Sequence, residues 1–251
     1  MKSPSPVHGT AAFHVPRERM LVVADLHMGI EREMALRGIH LPSRTRQFAE
    51  ELAALATITK SKRLVFAGDV RHNIPLASFR ERRELPLFFS AMLDAYGEVD
   101  IVKGNHDALI EELAPKGIAV HGSTGMRAGD VGICHGHSWP SKKVMSAPLL
   151  LVAHSHPVVT FRDGLGRAWS ERCWLRAPFS GGKRYPRAKG EIVLMPAYNS
   201  YCGGSPVNVE DEPILGPLFR QGIVDLKDAT VYMLDGTALG RRVDLMATQR
   251  S

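Results

Sequence analysis

The chain has 251 residues, 44 % hydrophobic and 23 % charged, the balance of a soluble globular protein that can bury a core without staples. Its net charge of +6 admits polyanions as partners without requiring them. Three scattered cysteines with no CxxC pair argue against a disulfide framework or structural zinc and fit a reducing cytoplasm, and no apolar run is long enough for a membrane span or signal peptide.

Residues 1–18, with their Ser-Pro repeats, read as a loose N-terminal arm, and the remainder as one domain without repeat or clean boundary. A buried strand at residues 20–24 ends at Asp25. Helical periodicity follows over 44–57, with Phe48, Leu52 and Leu55 on one face. A second strand at 63–67 ends at Gly68-Asp69, a helix is expected over 85–96, and a third strand at 99–102 ends at Gly104-Asn105-His106-Asp107. Strand, helix, strand, helix, strand is the rhythm of a parallel sheet with right-handed crossovers, whose functional residues gather at the carboxyl ends of its strands. After Ala108 short strands dominate, at 118–120, 131–134, 149–153 and 158–161. Asp163-Gly164 marks a hairpin, further strands are expected at 171–177 and 191–195, a long ordered loop at 196–217, and a strand pair over 223–234.

The polar clusters carry the chemistry. Asp25 and His27 are alternate residues on extended chain, so a carboxylate and an imidazole can face one cation. Asp69 follows a glycine that lets the chain turn sharply, and its two oxygens can bridge two metals. Asn105 offers a neutral amide oxygen. His106 beside it cannot point the same way and is free to act on substrate, with Asp107 able to orient it. His135-Gly136-His137 and His154-Ser155-His156 each follow an apolar strand. Any one cluster reads equally well as a polar strand-end loop. Five of them, in order and each at a strand end, make a metal centre. The donors mix oxygen and imidazole without thiolate, which favours manganese, with iron or zinc as alternatives, over calcium or structural zinc.

This order of motifs resembles the calcineurin-like metallophosphoesterases: D-x-H, G-D, G-N-H-[D/E], H and G-H-x-H, with Ala153 where the last motif usually has glycine. The likeness runs from Met20 to Pro157. It implies a four-layer α/β/β/α sandwich and two divalent metals, one held by Asp25, His27, Asp69 and His156, the other by Asp69, Asn105, His135 and His154. His137 matches no ligand position. The resemblance makes His106 with Asp107 the catalytic dyad, and implies in-line attack by a metal-bridging hydroxide, with Asn105 also steadying the phosphate. His72, three residues after Asp69, matches a histidine of the SbcD-like repair nucleases. The segments at 38–44 and 195–199, with Gly203-Gly204 and residues 234–237, look like archaeal SbcD-related phosphoesterases, relatives of the DNA-ligase-associated enzymes, so DNA-repair proteins are implied as partners.

Arg71, Lys183, Arg184, Tyr185 and Arg187 are the candidate substrate contacts. The four last lie in a basic stretch where Tyr185 could stack on a base, although a solvated loop has the same composition. Nucleic acid is therefore the expected substrate, with a small-molecule or cyclic-nucleotide phosphodiesterase as the alternative. Ala108-Leu109-Ile110 replaces the arginine expected of a protein phosphatase, and a silent scaffold of this fold would have lost ligands that are all present here.

Overall fold

The computed structural model describes residues 3–210 and 212–246. Two sheets stack face to face between helices. The first has the strand order β1 (Ser5–Pro6), β2 (Phe13–Val15), β3 (Met20–Val23), β4 (Arg63–Phe66), β5 (Glu98–Val102) and β6 (Ile118–His121), with β3 to β6 parallel. Helices α1 (Ile30–Leu36), α2 (Thr45–Thr59) and α3 (Phe79–Tyr96) belong to this half.

The second sheet holds β7 (Met126–Ala128), β8 (Val131–Cys134), β9 (Leu149–Val152), β10 (Pro157–Arg162), β11 (Ala168–Ser180), β12 (Lys189–Leu194) and β13 (Ser205–Pro206), in the order β13-β10-β11-β12-β9-β8-β7. The hairpin of β14 (Thr230–Met233) and β15 (Ala238–Arg241) pairs with β11. Short helices α4 (Lys142–Met145) and α5 (Pro217–Arg220) cover the outer face.

Strands β3 and β4 are apolar at every buried position because both their faces are covered. Leu21, Val23, Leu64 and Phe66 pack outward against Phe48, Leu52, Phe88 and Phe89 of the helices. Met20, Val22 and Val65 point inward, against Ile133, Leu151, Trp174 and Val193 of the second sheet. The result is the expected four-layer α/β/β/α sandwich.

Four local expectations need correction. The N-terminal arm is not loose where it is described: β2 pairs with β3, Phe13 and Val15 are buried, and the Gly9 amide donates to the Leu234 carbonyl. Residues 1 and 2 lie outside the described residues. The Ser-Pro pattern itself supplies the two-residue edge strand β1, and the alternation of β2 beside it, apolar at Phe13 and Val15, is too short to stand out. Helix α3 starts six residues before the expected Leu85, because Ser78 and Glu81 form a reciprocal capping box. Of the strand pair expected over 223–234, only β14 is a strand, and its partner is the later β15. Helix α1 was not foreseen. No helix among the described residues is long and apolar enough to cross a membrane.

Candidate metal centre

The loops after β3 and β4 leave their sheet side by side. The amides of Asp25, His27 and Met28 donate to the carbonyls of Gly68, Asp69 and Val70 at 2.9–3.0 Å. Asp25, His27, Asp69, His154 and His156 all have left-handed backbone, with φ between 42° and 73°. Such values are uncommon outside glycine. Two glycines allow the loops to close in. A Cβ on Gly68 would stand 2.5 Å from His135 Cγ, and one on Gly104 would stand 2.5 Å from the Asp69 amide nitrogen.

The side chains converge from both sheets. His27 Nε2 lies 3.5 Å from Asp69 Oδ2, His135 Nε2 lies 3.2 Å from that same oxygen and 3.2 Å from Asn105 Oδ1, and His156 Nε2 lies 3.3 Å from Asp25 Oδ1. Asp69, His135 and His154 bring ligand atoms within 4.8 Å of one another, as do Asp25, His27 and Asp69. Donors bound at 2.0–2.2 Å to one cation stand about 3 Å apart, so these separations fit shared coordination. Asp25 Oδ1, His27 Nε2 and His156 Nε2 are buried and make no hydrogen bond in spite of their closeness. Buried polar atoms are normally satisfied, and these three belong to one expected ligand set. The rings are also aimed. His135 Nδ1 donates to the Ala67 carbonyl and His156 Nδ1 to the Gly203 carbonyl, both at 3.0 Å, which leaves each Nε2 lone pair for a cation.

Electrostatics follow from burial and two close carboxylates. Burial pushes His27 down to about 3 and His154 down to about 4, so both rings are neutral, as ligation demands. Burial would also lower His135, but its hydrogen bond to Asp69 and the charges of Asp69 and Asp25 overcome this and raise it to about 9. Burial would raise Asp25, yet His156 and His135 hold it below the usual carboxylate range. A cation ligated here displaces the His135 proton, since only the neutral ring binds metal.

His106 stands beside the cluster, its ring 4.9 Å from that of His27. Its amide donates to Asp69 Oδ1 at 2.8 Å, and its Nδ1 donates to the His72 carbonyl at 2.6 Å. The expected partnership with Asp107 is not formed. The Asp107 carboxylate turns inward and accepts the amides of Val70, Arg71 and Gly104. It ties two strand-end loops together, while the His72 carbonyl orients the catalytic candidate. Burial first, then the Asp69 charge, raises Asp107 to about 6.

His72 is in place: its ring stacks on that of His106, Nδ1 lies 3.1 Å from His27 Nδ1, and Nε2 lies 2.7 Å from Glu33 Oε2. Arg71 is not available to substrate. It is 1 % exposed and its guanidinium donates to the carbonyls of Ala108, Asn73 and Pro75. Tyr185 is likewise buried, its hydroxyl donating to the Pro140 carbonyl at 2.6 Å, so it anchors the basic loop and cannot stack on a base. Lys183, Arg184 and Arg187 are exposed, with Arg184 lying over the Trp139 ring at 4.4 Å. His137 packs its ring 5.2 Å from that of His135.

Three residues of the centre had no role assigned from sequence, although Asn199 ends the 195–199 segment noted above. Asn199 is buried and donates from Nδ2 to the Leu26 carbonyl, while its amide reaches the Asp25 carbonyl. Cys202 brings Sγ within 4.8 Å of ligand atoms of His27 and His156. Glu33 reaches His72 from α1.

No family model and no curated protein matches the chain. Among solved structures it is similar to the nuclease MPE of Pseudomonas putida, at 19 % identity and a TM-score of 0.57, over 94 % of this chain and 100 % of that one. It is similar also to Yfce, a phosphoesterase from E. coli, at 13 % identity and a TM-score of 0.41, over 88 % of this chain and 96 % of that one. The first of these likenesses shows that this chain shares the fold of that nuclease.

Proposed function

We propose that the chain is a metal-dependent phosphodiesterase acting on nucleic acid. The observation that carries this reading is the trio of unpartnered buried donors, Asp25 Oδ1, His27 Nε2 and His156 Nε2, lying beside an Asp69 whose two oxygens face different partners. One cation would be held by Asp25, His27, Asp69 and His156, the other by Asp69, Asn105, His135 and His154. Bound there, divalent cations lower the pKa of water and neutralise phosphate charge. Manganese suits this oxygen and imidazole set first, then iron or zinc.

The chain's own groups supply the rest. Asn105 presents its amide to a phosphate oxygen. His106 gives a proton from Nε2 to the departing oxygen, because its Nδ1 proton is committed to the His72 carbonyl. His72, hydrogen-bonded to Glu33 and stacked on His106, positions that ring. That the Pseudomonas structure of the same fold is a nuclease supports nucleic acid over a small diester as the substrate here; the basic loop at 183–187 leads into β12, whose first residues pair with the first residues of β9, and so lies at the other end of that strand from His154.

Purified chain loaded with manganese should hydrolyse bis-p-nitrophenyl phosphate and single- or double-stranded oligonucleotides, and lose both activities in chelator. His106→Ala should keep its metal by elemental analysis, yet lose at least about 100-fold in kcat on diesters with poor leaving groups. Loss of metal in that variant would refute the role given to His106. Hydrolysis confined to cyclic nucleotides would move the substrate to the small-molecule class.

A further inference from the structure

A cavity of about 530 Å³ opens between α1 and the start of α3, where the chain leaves the His27 loop. Gly29, two residues after His27, forms part of its wall, and the Gly29 carbonyl accepts from Asn73 Nδ2. Glu81 of α3 accepts the amides of His72 and Asn73. The turn that presents His72 to the metal centre thus also braces this cavity.

Its lining is unusual in three ways. Phe79, the first residue of α3, is 82 % exposed. Five of the eleven large apolar side chains exposed among the described residues are Leu36, Ile39, Ile74, Leu76 and Phe79; one lines the cavity, and the other four lie within a few residues of lining positions in the chain. Arg32, His40 and Arg80 also line it, and no carboxylate pairs with Arg32 among the described residues. Finally, Glu31 lines the wall at 4 % exposure, with Oε1 accepting the Arg44 amide and Oε2 buried without a hydrogen-bond partner.

We infer that this cavity receives one unpaired nucleotide of a single strand, its base on Phe79 with an amino edge toward Glu31, and its phosphate toward Arg32 and Arg80. The inference rests on the phosphodiesterase reading above and names its substrate class. Cations alone would suit any polyanion. An exposed aromatic face beside them suits a base, and only a base outside a duplex offers its own face for stacking. A carboxylate at the base edge accepts from the amino groups of adenine, cytosine or guanine and repels the carbonyl edge of thymine or uracil.

The test is binding of labelled oligonucleotides to the full chain in chelator, read by fluorescence anisotropy, with single-stranded DNA, single-stranded RNA and blunt duplex of one length. Single strands should bind at least about tenfold tighter than duplex, and Phe79→Ala should remove about tenfold of that affinity while leaving duplex binding as it was. Glu31→Gln should reduce the preference for oligo-dC over oligo-dT. Circular dichroism and melting temperature would confirm that both variants are folded. Equal affinity for duplex and single strand, or an unaffected Phe79→Ala, overturns the proposal. So does a dimer in light scattering that Phe79→Ala dissolves, which would assign the face to a second copy of the chain. The DNA and RNA arms identify which strand it takes. Turnover of bis-p-nitrophenyl phosphate by the parent chain is scored separately, so failure of catalysis and failure of this pocket give different results.

Discussion

Five of the seven expected ligands, Asp25, His27, Asp69, His154 and His156, hold left-handed backbone, at a cost on the order of 1 kcal/mol each. Alternate residues of an extended strand already share a face, so the left-handed turn is not needed to bring Asp25 and His27 to one side; it bends the chain so that the loop closes over the site. Gly104 has the complementary part, since its missing Cβ is the space that the Asp69 carboxylate fills. Gly104→Ala should therefore displace Asp69, weaken metal binding at least about tenfold by calorimetric titration, and lower kcat with it. Unchanged affinity would show that the loop can yield. At this scale the sequence marked the polar residues that converge but not which way others face. Asp107 and Arg71 have the right type and position for the site, yet one is turned to backbone amides and the other to backbone carbonyls. Side-chain direction depends on neighbours distant in the chain. The roles of Asn199 and Cys202 went unassigned for the same reason, since both arrive from more than 170 residues beyond Asp25.

Among the elements, the parallel strands were legible because both their faces are apolar, and each chemical motif sits where such a strand ends. Less legible was how neighbouring strands are clamped. Asp100 of β5 accepts a two-pronged pair of hydrogen bonds from Arg63 of β4, at 2.7 and 2.9 Å, and lies 2.6 Å from His121 Nε2 of β6. Burial pushes its carboxyl up, but Arg63 and His121 more than reverse this and hold it below the model-peptide value of 3.8. The folded form thus binds fewer protons than the unfolded form, so the clamp is at full strength above that value and weakens as pH falls through the lower folded one. Asp100→Asn should lose about 1–3 kcal/mol at pH 7 in denaturant unfolding. Its stability should also fall less steeply than that of the parent chain below pH 4. Parallel acid limbs would mean that Asp100 does not carry the clamp.

For the whole molecule, the centre lies where two sheets meet. Asp25, Asp69 and Asn105 come from strand ends of the first sheet, His135, His154 and His156 from the second. A cation bound by both would join the halves and stabilise only the folded chain. Saturating manganese at about 100 times its dissociation constant should add about 2.7 kcal/mol, raising the melting temperature by several degrees in differential scanning calorimetry, and chelator should reverse the shift. An unchanged transition would mean that the pocket of donors takes no metal. The sandwich itself was readable because motif order and strand rhythm agree. The first-sheet edge, α1 and the cavity beside it were not, since each depends on how separate segments meet.

The late segment that reaches back to the first motif has a consequence for biosynthesis. The Tyr198 amide donates to the Ala24 carbonyl, the Asn199 amide to the Asp25 carbonyl, and Asn199 Nδ2 to the Leu26 carbonyl. A chain leaving the ribosome has made all seven expected ligands by His156, and its Asp25 loop can already bond to Gly68, Asp69 and Val70, yet the bonds from residues 198–199 come some forty residues later. Over that interval the loop would be held on one side only, so a cation taken up by the nascent chain would meet it before its second set of bonds. Residues 198–199 would thus complete the loop after every expected ligand has been made.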